Sequence, residues 1–254
     1  MSISAENRVA LVTGGGKGVG AGIVKVLAAH GVRCCINCNS NPAMAEDTLR
    51  AVAAAGAEAF VCRADISDTS QVEDMASAII KRWGRLDILV NNAAMQYNRY
   101  IDEYDYETLR RLWEVNIGGY FRAVRACLPH LRASACGRVV NISSIHGKRP
   151  TSFDAGYAMT KGAIRMFTRE LALELFADGI TVNAIDLGGC RIEFKTGNAP
   201  FRSSHPVECR NPAMSLLRLV TPADVGEMVW YLCSEGAQSV TGDGVRLDKG
   251  LMLT

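Results

Sequence analysis

Short apolar runs of strand length recur along the whole chain, each separated from the next by a segment of helix length. Arg8–Val12, Val32–Asn37, Ala59–Cys62, Leu86–Val90, Arg138–Ile142, Thr181–Ile185 and Gly244–Leu247 are seven candidate strands. Most are continuous apolar runs rather than strict alternations, as a parallel sheet requires when helices cover both its faces. The intervening segments are amphipathic and end at glycines. Gly20–His30 stops before Gly31, Ala43–Ala55 before Gly56, and Ser70–Trp83 at Gly84. Lys81 and Arg82 in that last turn complement the helix dipole. The expected fold is therefore α/β: one doubly wound domain over residues 1–254, with a seven-stranded parallel sheet flanked by helices. Only Gly188–Ser215, rich in Arg, Pro, Asn and Ser, breaks the rhythm. A stretch that long in a compact domain is expected to be a functional loop.

Composition removes several function classes. With 254 residues, 48% of them hydrophobic, and a formal net charge of +2, the chain is ordinary for a soluble globular protein. No run approaches the roughly 18–20 apolar residues of a membrane span. The start, MSISAENRVALVTGGG, has no basic region leading into an apolar stretch, so the cytoplasm is the expected compartment. Near-neutral charge without basic clusters argues against nucleic acid or an anionic membrane as partner. The nine cysteines read as reduced thiols serving as small apolar residues. Cys35 and Cys38 form the one CxxC, but on a strand an odd separation points two side chains to opposite faces. The four histidines are scattered, and no metal site is expected.

The first strand runs into Thr13-Gly14-Gly15-Gly16-Lys17-Gly18-Val19-Gly20 and then a helix. Glycine there permits positive φ and lets a pyrophosphate approach main-chain N–H groups at a helix N-terminus, where the dipole favours negative charge. Its place between a first strand and a helix, inside a βαβ unit, is the context that a dinucleotide fingerprint requires.

The spacing of Gly14, Gly18 and Gly20 resembles that of the short-chain dehydrogenase/reductase family. Further along, Asn91-Asn92-Ala93-Ala94 is similar to the family's Asn-Asn-Ala-Gly after the fourth strand. Asn116 stands at its helical Asn position, and Ser144, Tyr157 and Lys161 match its Ser and Tyr-x3-Lys. The segment SSIHGKRP before Tyr157 most resembles glucose dehydrogenases, with 3-oxoacyl reductases close behind. The resemblance spans nearly the whole chain. It implies a Rossmann domain, hydride transfer between a nicotinamide and a CH–OH carbon, and a homotetramer built partly through long helices such as Tyr104–Leu131 and Ala155–Phe176. It also implies that Thr13, Gly14, Gly16, Lys17, Gly18, Val19 and Gly20 cradle the cofactor. Asp65 and Ile66 would contact the adenine, Asn92, Ala93 and Ala94 would line the path to the nicotinamide, and Gly188 would lie beside it.

Charge near the adenosine ribose separates the two nicotinamide cofactors, because a carboxylate after the second strand binds ribose hydroxyls and repels a 2′-phosphate. Here that region is Asn39-Ser40-Asn41, with no acid before Glu46. Lys17 resembles the basic residue that NADP-preferring members carry. The expected cofactor is NADP(H), with NAD tolerated.

Tyr157 and Lys161 lie one turn apart on one face of a helical segment. A cation near a tyrosine favours the phenolate. At ~5 Å and an effective dielectric of about 20 the attraction is about 3 kcal/mol, enough to lower the tyrosine pKa by roughly 2. Tyr157 is thereby expected to act as acid and base, with Ser144 hydrogen-bonding the substrate oxygen. In the family, Lys161 also holds the ribose and Asn116 holds a water that relays protons.

Some positions depart from the pattern. Leu187-Gly188 replaces Pro-Gly, Ile192 stands where a Thr hydroxyl is usual, Ala94 replaces Gly, and Lys249 replaces a Gly near the end. The substrate loop, Gly189–Ser215, carries Arg191, Glu193, Lys195, Arg202, His205, Glu208 and Arg210, which suits a small polar sugar, polyol or hydroxy acid better than a steroid or long acyl chain. Gln96 and His146 are the expected substrate contacts beside Ser144 and Tyr157. Asp154 is a weaker candidate and a possible helix N-cap. Two rivals share these residues: a 3-oxoacyl thioester reductase, distinguished by activity on acetoacetyl thioesters, and a non-catalytic NADP(H)-binding regulator, against which the full Asn116, Ser144, Tyr157 and Lys161 set argues.

Overall fold

The computed structural model describes residues 7–39, 43–150, 154–192 and 219–253. All seven expected strands form: β1 (Val9–Val12), β2 (Arg33–Cys38), β3 (Ala59–Arg63), β4 (Ile88–Asn91), β5 (Arg138–Ile142), β6 (Thr181–Leu187) and β7 (Gly244–Leu247). They build one parallel sheet in the order β3-β2-β1-β4-β5-β6-β7. The order reverses between β1 and β4, and in sheets of this type ligands bind at the carboxyl ends of the strands beside that switch.

The helices are α1 (Gly18–Ala29), α2 (Ala43–Ala54), α3 (Thr69–Trp83), α4 (Tyr106–Trp113), α5 (Gly119–Ala133), α6 (Ala155–Glu174) and α7 (Pro222–Cys233). Alternation along each strand divides the core into two layers. Leu11, Cys35, Leu89 and Val139 face Met75, Ile79, Ala123, Cys127 and Leu171 of α3, α5 and α6. Ala10, Cys34, Ile36, Ile88 and Val140 face Ile23, Leu27, Val225 and Val229 of α1 and α7. Burial raises the Cys34, Cys127 and Cys233 thiols to about 12, in keeping with a packing role. Cys62 differs: a hydrogen bond with Cys35 brings it down to about 7, against the opposing effect of partial burial.

Helices α1 and α7 meet at two glycines. A Cβ at Gly22 would stand 2.3 Å from Pro222 Cβ, and one at Gly226 would stand 2.6 Å from Val26 Cγ2. Beyond β6 the chain is pinned where it leaves and where it returns. Cys190 and Val220 form a parallel bridge, Arg191 N–H donates to Val220 O at 2.8 Å and Val220 N–H donates to Gly189 O at 2.9 Å. No helix among the described residues is long and apolar enough to cross a membrane.

The expected long helix Tyr104–Leu131 forms as one helical run from Tyr106 to Ala133, with a π-helical turn inside it. Asp105 caps α4 by accepting from Thr108 N–H at 2.6 Å, which starts the helix after Tyr104. The π-helical turn, Glu114–Gly118, joins α4 to α5 with the backbone helical on both sides. Such turns widen a helix by one residue and are frequent at functional sites. The other expected long helix ends at Glu174, and Phe176–Asp178 is a separate 3₁₀ turn closed by Gly179 at φ 69°.

Candidate active site

The glycine turn is fastened from both sides of the switch. Thr13 Oγ1 accepts from the N–H groups of Asn92 and Ala93 at 2.9 and 3.1 Å, and Asn92 Nδ2 donates to Thr13 O at 2.9 Å and Gly14 O at 3.2 Å. From β2, Asn37 Oδ1 accepts from Gly14 N–H at 3.2 Å while Asn37 Nδ2 donates to Ala64 O at 3.0 Å. A Cβ at Gly20 would lie 2.3 Å from the Gly14 carbonyl and 2.6 Å from Asn92 Nδ2, so this close approach needs glycine. The turn holds no side chain between Gly14 and Gly16, and Gly18 starts α1, whose N-terminal N–H groups and dipole suit a phosphate. These residues fit a dinucleotide pyrophosphate.

Lys17 is exposed at the N-cap of α1, its side chain unused in capping. Asn39 is exposed at the end of β2, and Ser40 and Asn41 lie outside the described residues. Asp65 is partly committed already: burial raises its pKa, but hydrogen bonds from Ser67 and the ion pair with Arg111 at 2.9 Å outweigh this and bring it down to about 2. Ile66 is buried, its Cδ1 2.5 Å from where a Cβ on Gly119 would stand. Ile192 lies over the glycine turn, its Cγ2 3.5 Å from the position of a Cβ on Gly18. An apolar branch therefore covers the cradle where a hydroxyl is usual. Gly188 packs against Asp248, with a hypothetical Cβ 2.7 Å from Asp248 Cβ.

The second half of the site assembles at the carboxyl ends of β4, β5 and β6. Lys161 is buried, and its Nζ donates to Ile142 O at 2.8 Å. The same carbonyl accepts from Tyr120 Oη at 3.0 Å. Lys161 Nζ sits 5.4 Å from the centre of the Tyr157 ring and 5.7 Å from that of Tyr120. Ser144 Oγ accepts from His146 N–H at 3.2 Å, lies 3.4 Å from Leu187 O, and hydrogen-bonds Tyr157. His146 stands edge-on to Tyr157 at 5.8 Å, and burial lowers its pKa. Gln96 and Ala94 are exposed on the segment after β4. Asn116, in the π-helical turn, accepts from Met95 N–H at 2.7 Å and donates to Met95 O at 2.9 Å and Thr160 Oγ1 at 3.1 Å. Its amide ties the chain after β4 to α6.

The ionisation of the pair differs from the sequence expectation. Burial pushes Tyr157 up to about 12, with the Asp154 carboxylate adding to the rise and the Ser144 hydrogen bond opposing it. Burial also brings Lys161 down to about 7. The ammonium is directed at a backbone carbonyl and the face of the ring, and desolvation of both groups exceeds their mutual attraction.

A family model of the short chain dehydrogenases matches residues 8–201. The chain belongs to this family. Among its relatives, a hydroxynaphthalene reductase of Aspergillus fumigatus is 33% identical over 94% of this chain and 90% of the relative. Glucose 1-dehydrogenase 2 of Bacillus subtilis is 29% identical over 97% and 95%. A short chain dehydrogenase from Burkholderia cenocepacia, solved in complex with NADP, superposes with a TM-score of 0.84 at 26% identity, covering 97% of this chain and 98% of that one.

Several residues of this short-chain dehydrogenase escaped sequence reasoning as parts of the site. Asn37 supports the glycine turn from a neighbouring strand. Thr160 takes the Asn116 hydrogen bond and donates to Tyr157 O at 2.8 Å, coupling the π-helical turn to the helix that carries Tyr157. Gly147 lets the 3₁₀ turn Ile145–Gly147 rest on α6, since a Cβ there would be 2.7 Å from Lys161 C and O. Each is a polar or small residue whose partner is distant in sequence, so no local pattern marks it. Glu193, Lys195, Arg202, His205, Glu208 and Arg210 lie outside the described residues.

Proposed function

We propose that this short-chain dehydrogenase is an NADP(H)-preferring oxidoreductase, tolerant of NAD, that interconverts alcohol and carbonyl on a small polar substrate such as a sugar, polyol or hydroxy acid. The observation that carries the reading is the meeting of Ser144, Tyr157 and buried Lys161 at the strand ends beside the glycine cradle. When bound, the nicotinamide supplies or accepts the hydride. Thr13 to Gly20 would hold the pyrophosphate, Asp65 and Ile66 the adenine end, and Asn92 to Ala94, Lys161 and Gly188 the ribose and nicotinamide end. Ser144 hydrogen-bonds the reacting oxygen and offsets charge developing on it. Tyr157 gives that oxygen its proton in reduction and takes it back in oxidation. Lys161 stands against the ring of Tyr157 and changes its charge near neutral pH. Asn116 and Thr160 hold the helix turn that aims Tyr157. Gln96 and His146 would contact the substrate, and residues 188–215, of which 193–215 lie outside the described residues, would supply the substrate loop of a single domain spanning 1–254.

Cofactor choice rests on exposed Lys17 and on Asn39, where no carboxylate stands to repel a 2′-phosphate. Replacing Lys17 by Ala together with Ser40 by Asp should shift the ratio of turnover strongly toward NAD; an unchanged ratio would refute the preference. The substrate is tested by following absorbance of the reduced nicotinamide across polyols, sugars and hydroxy acids, with NADP and NAD in parallel. Turnover confined to acetoacetyl thioesters would assign a 3-oxoacyl reductase, and cofactor binding without turnover would assign a regulator. The reading includes a homotetramer, supported by Phe121, Met166, Leu173 and Phe176 exposed on α5 and the α6 region and by an open cavity of about 400 Å³ lined by Tyr120, Phe121 and Phe167. It also includes a cytoplasmic location, supported by the eight free cysteines among the described residues.

A further inference from the structure

A closed circuit of contacts rings the mouth of the site beside Ser144. Ser144 Oγ lies 3.4 Å from Leu187 O, at the end of β6. The next residue, Gly188, rests on Asp248, where a Cβ would stand 2.7 Å from Asp248 Cβ. Asp248 Oδ1 and Oδ2 accept from Gly250 N–H and Met252 N–H, both at 3.0 Å, and so fix the 3₁₀ turn Leu251–Leu253 just past the end of β7. Met252 O accepts from Arg149 Nη1 at 2.6 Å. Arg149 N–H in turn donates to Ile145 O at 3.0 Å, one residue past Ser144. Arg149 therefore stands on the rim of the site, with its side chain held by a main-chain carbonyl.

The charges on this rim do not cancel. Lys148 and Arg149 are exposed, and neither has a carboxylate within ion-pair distance among the described residues. The acids nearby are already engaged. Asp248 holds its two main-chain N–H groups and lies 3.5 Å from Arg246 Nε. Asp224 pairs with Lys249 at 3.7 Å and accepts from Thr221 N–H at 2.7 Å. Asp154, buried before α6, accepts from Tyr157 N–H, Asn98 N–H and Tyr104 Oη. A carbonyl fixes a guanidinium without neutralising it, which leaves the charge of Arg149 and its remaining donors for a ligand. Paired guanidinium N–H groups match the two oxygens of a carboxylate. We propose that Arg149 binds the carboxylate of an anionic substrate, so that the substrate is a hydroxy acid or its oxo form and not a neutral sugar or polyol. The proposal rests on the reading of Ser144 and Tyr157 as the groups that hold the reacting oxygen. Lys148 adds unpaired positive charge next to Arg149 and draws the anion to the mouth. With its carboxylate on the rim, the substrate is oriented so that its hydroxyl or carbonyl meets Ser144 and Tyr157.

The test compares lactate, glycerate and 3-hydroxybutanoate, and their oxo forms, each with its neutral amide, by absorbance of the reduced nicotinamide with NADP and NAD in parallel. In the wild type, kcat/KM for the best acid should exceed that for its amide by about 10–100-fold, the range set by a hydrogen-bonded charge pair. Arg149→Gln should bring kcat/KM for the acid down toward that for the amide and leave the amide nearly unchanged. A merely structural role of Arg149 in holding the C-terminal turn would lower both together and overturn the proposal. Arg149→Lys keeps the charge without the planar fork, so it should lose part of the preference, again on the acid alone; it carries the test should Arg149→Gln fail to fold. Added salt should raise KM for the acid more in the wild type than in Arg149→Gln. Amides turned over as well as acids, or a ratio of acid to amide that survives Arg149→Gln, would overturn the proposal. Turnover confined to neutral sugars and polyols would overturn it too, while leaving the hydride-transfer reading standing. NADP binding without turnover of any of these compounds would defeat that reading itself, and the proposal with it.

Discussion

Buried Lys161 and half-buried Tyr157 stand side by side in a site that favours the neutral form of each. The consequence for Lys161 is a pH-dependent stability. Its amine titrates at about 7 in the folded protein against 10.5 in the open chain, so between those values the unfolded state binds more protons and stability climbs as pH rises. Replacing Lys161 by Met removes this contribution. Without cofactor, the variant should melt at a higher temperature than the wild type at pH 6, with the gap narrowing by pH 9 in thermal scans. Tyr157 acts in the opposite sense at higher pH: held at about 12 against 10.0, it makes folded protein lose stability as pH rises from 10 to 12. Tyr157→Phe should lower turnover by about two to four orders of magnitude while leaving NADP affinity nearly intact by titration calorimetry. Near-normal turnover would remove Tyr157 from the chemistry.

The elements carry the site by close contacts that admit little change. At the α1–α7 crossing, adding a methyl in Gly22→Ala forces the helices apart and should cost about 1–3 kcal/mol in denaturant unfolding, with cofactor affinity falling because α1 presents the glycine turn. Asn37→Ala removes the acceptor for Gly14 N–H and the donor to Ala64 O; it should weaken NADP binding about tenfold while the unfolding transition moves less than for Gly22→Ala. Such elements were legible to different degrees. The apolar runs located all seven strands, with small shifts at their ends, because a buried parallel strand must be apolar along its length. The glycine turn was legible because its constraint is local. Asn37 and Thr160 were not, since a polar side chain on a strand or helix does not announce which distant main-chain group it satisfies, whereas Asp154 caps α6 as its place before the helix predicts. The π-helical turn at Glu114–Gly118 was missed for a related reason: the amphipathic pattern continues through it, and only the contacts of Asn116 with Met95 and Thr160 reveal it. The ionisation of Tyr157 and Lys161 was misjudged because sequence spacing gives their separation and says nothing of their desolvation.

At the scale of the whole molecule, the two layers of core are closed on the sheet, yet the surface of α5 and α6 still presents Phe121, Met166 and Leu173 to solvent. Phe121 is 54% exposed and also lines the cavity beside Tyr120, so a charge there should be tolerated by the fold and resisted by an assembly. Phe121→Asp should leave the melting profile of the protomer largely unchanged and reduce the mass seen by light scattering from four chains toward one or two. A monomeric wild type would refute the assembly.

The bridge between Cys190 and Val220 has a consequence of a different kind. Because the chain departs from the sheet and rejoins it at one stitched point, the sequence between can lengthen, shorten or be replaced without altering the strand order or the placement of Tyr157, since the entropy of closing a loop grows slowly with its length. On the proposed reading of 188–215 as the substrate loop, selectivity and scaffold become separable inheritances: grafting a relative's segment between those two residues should change which substrate is turned over and leave the sheet and Tyr157 as they are.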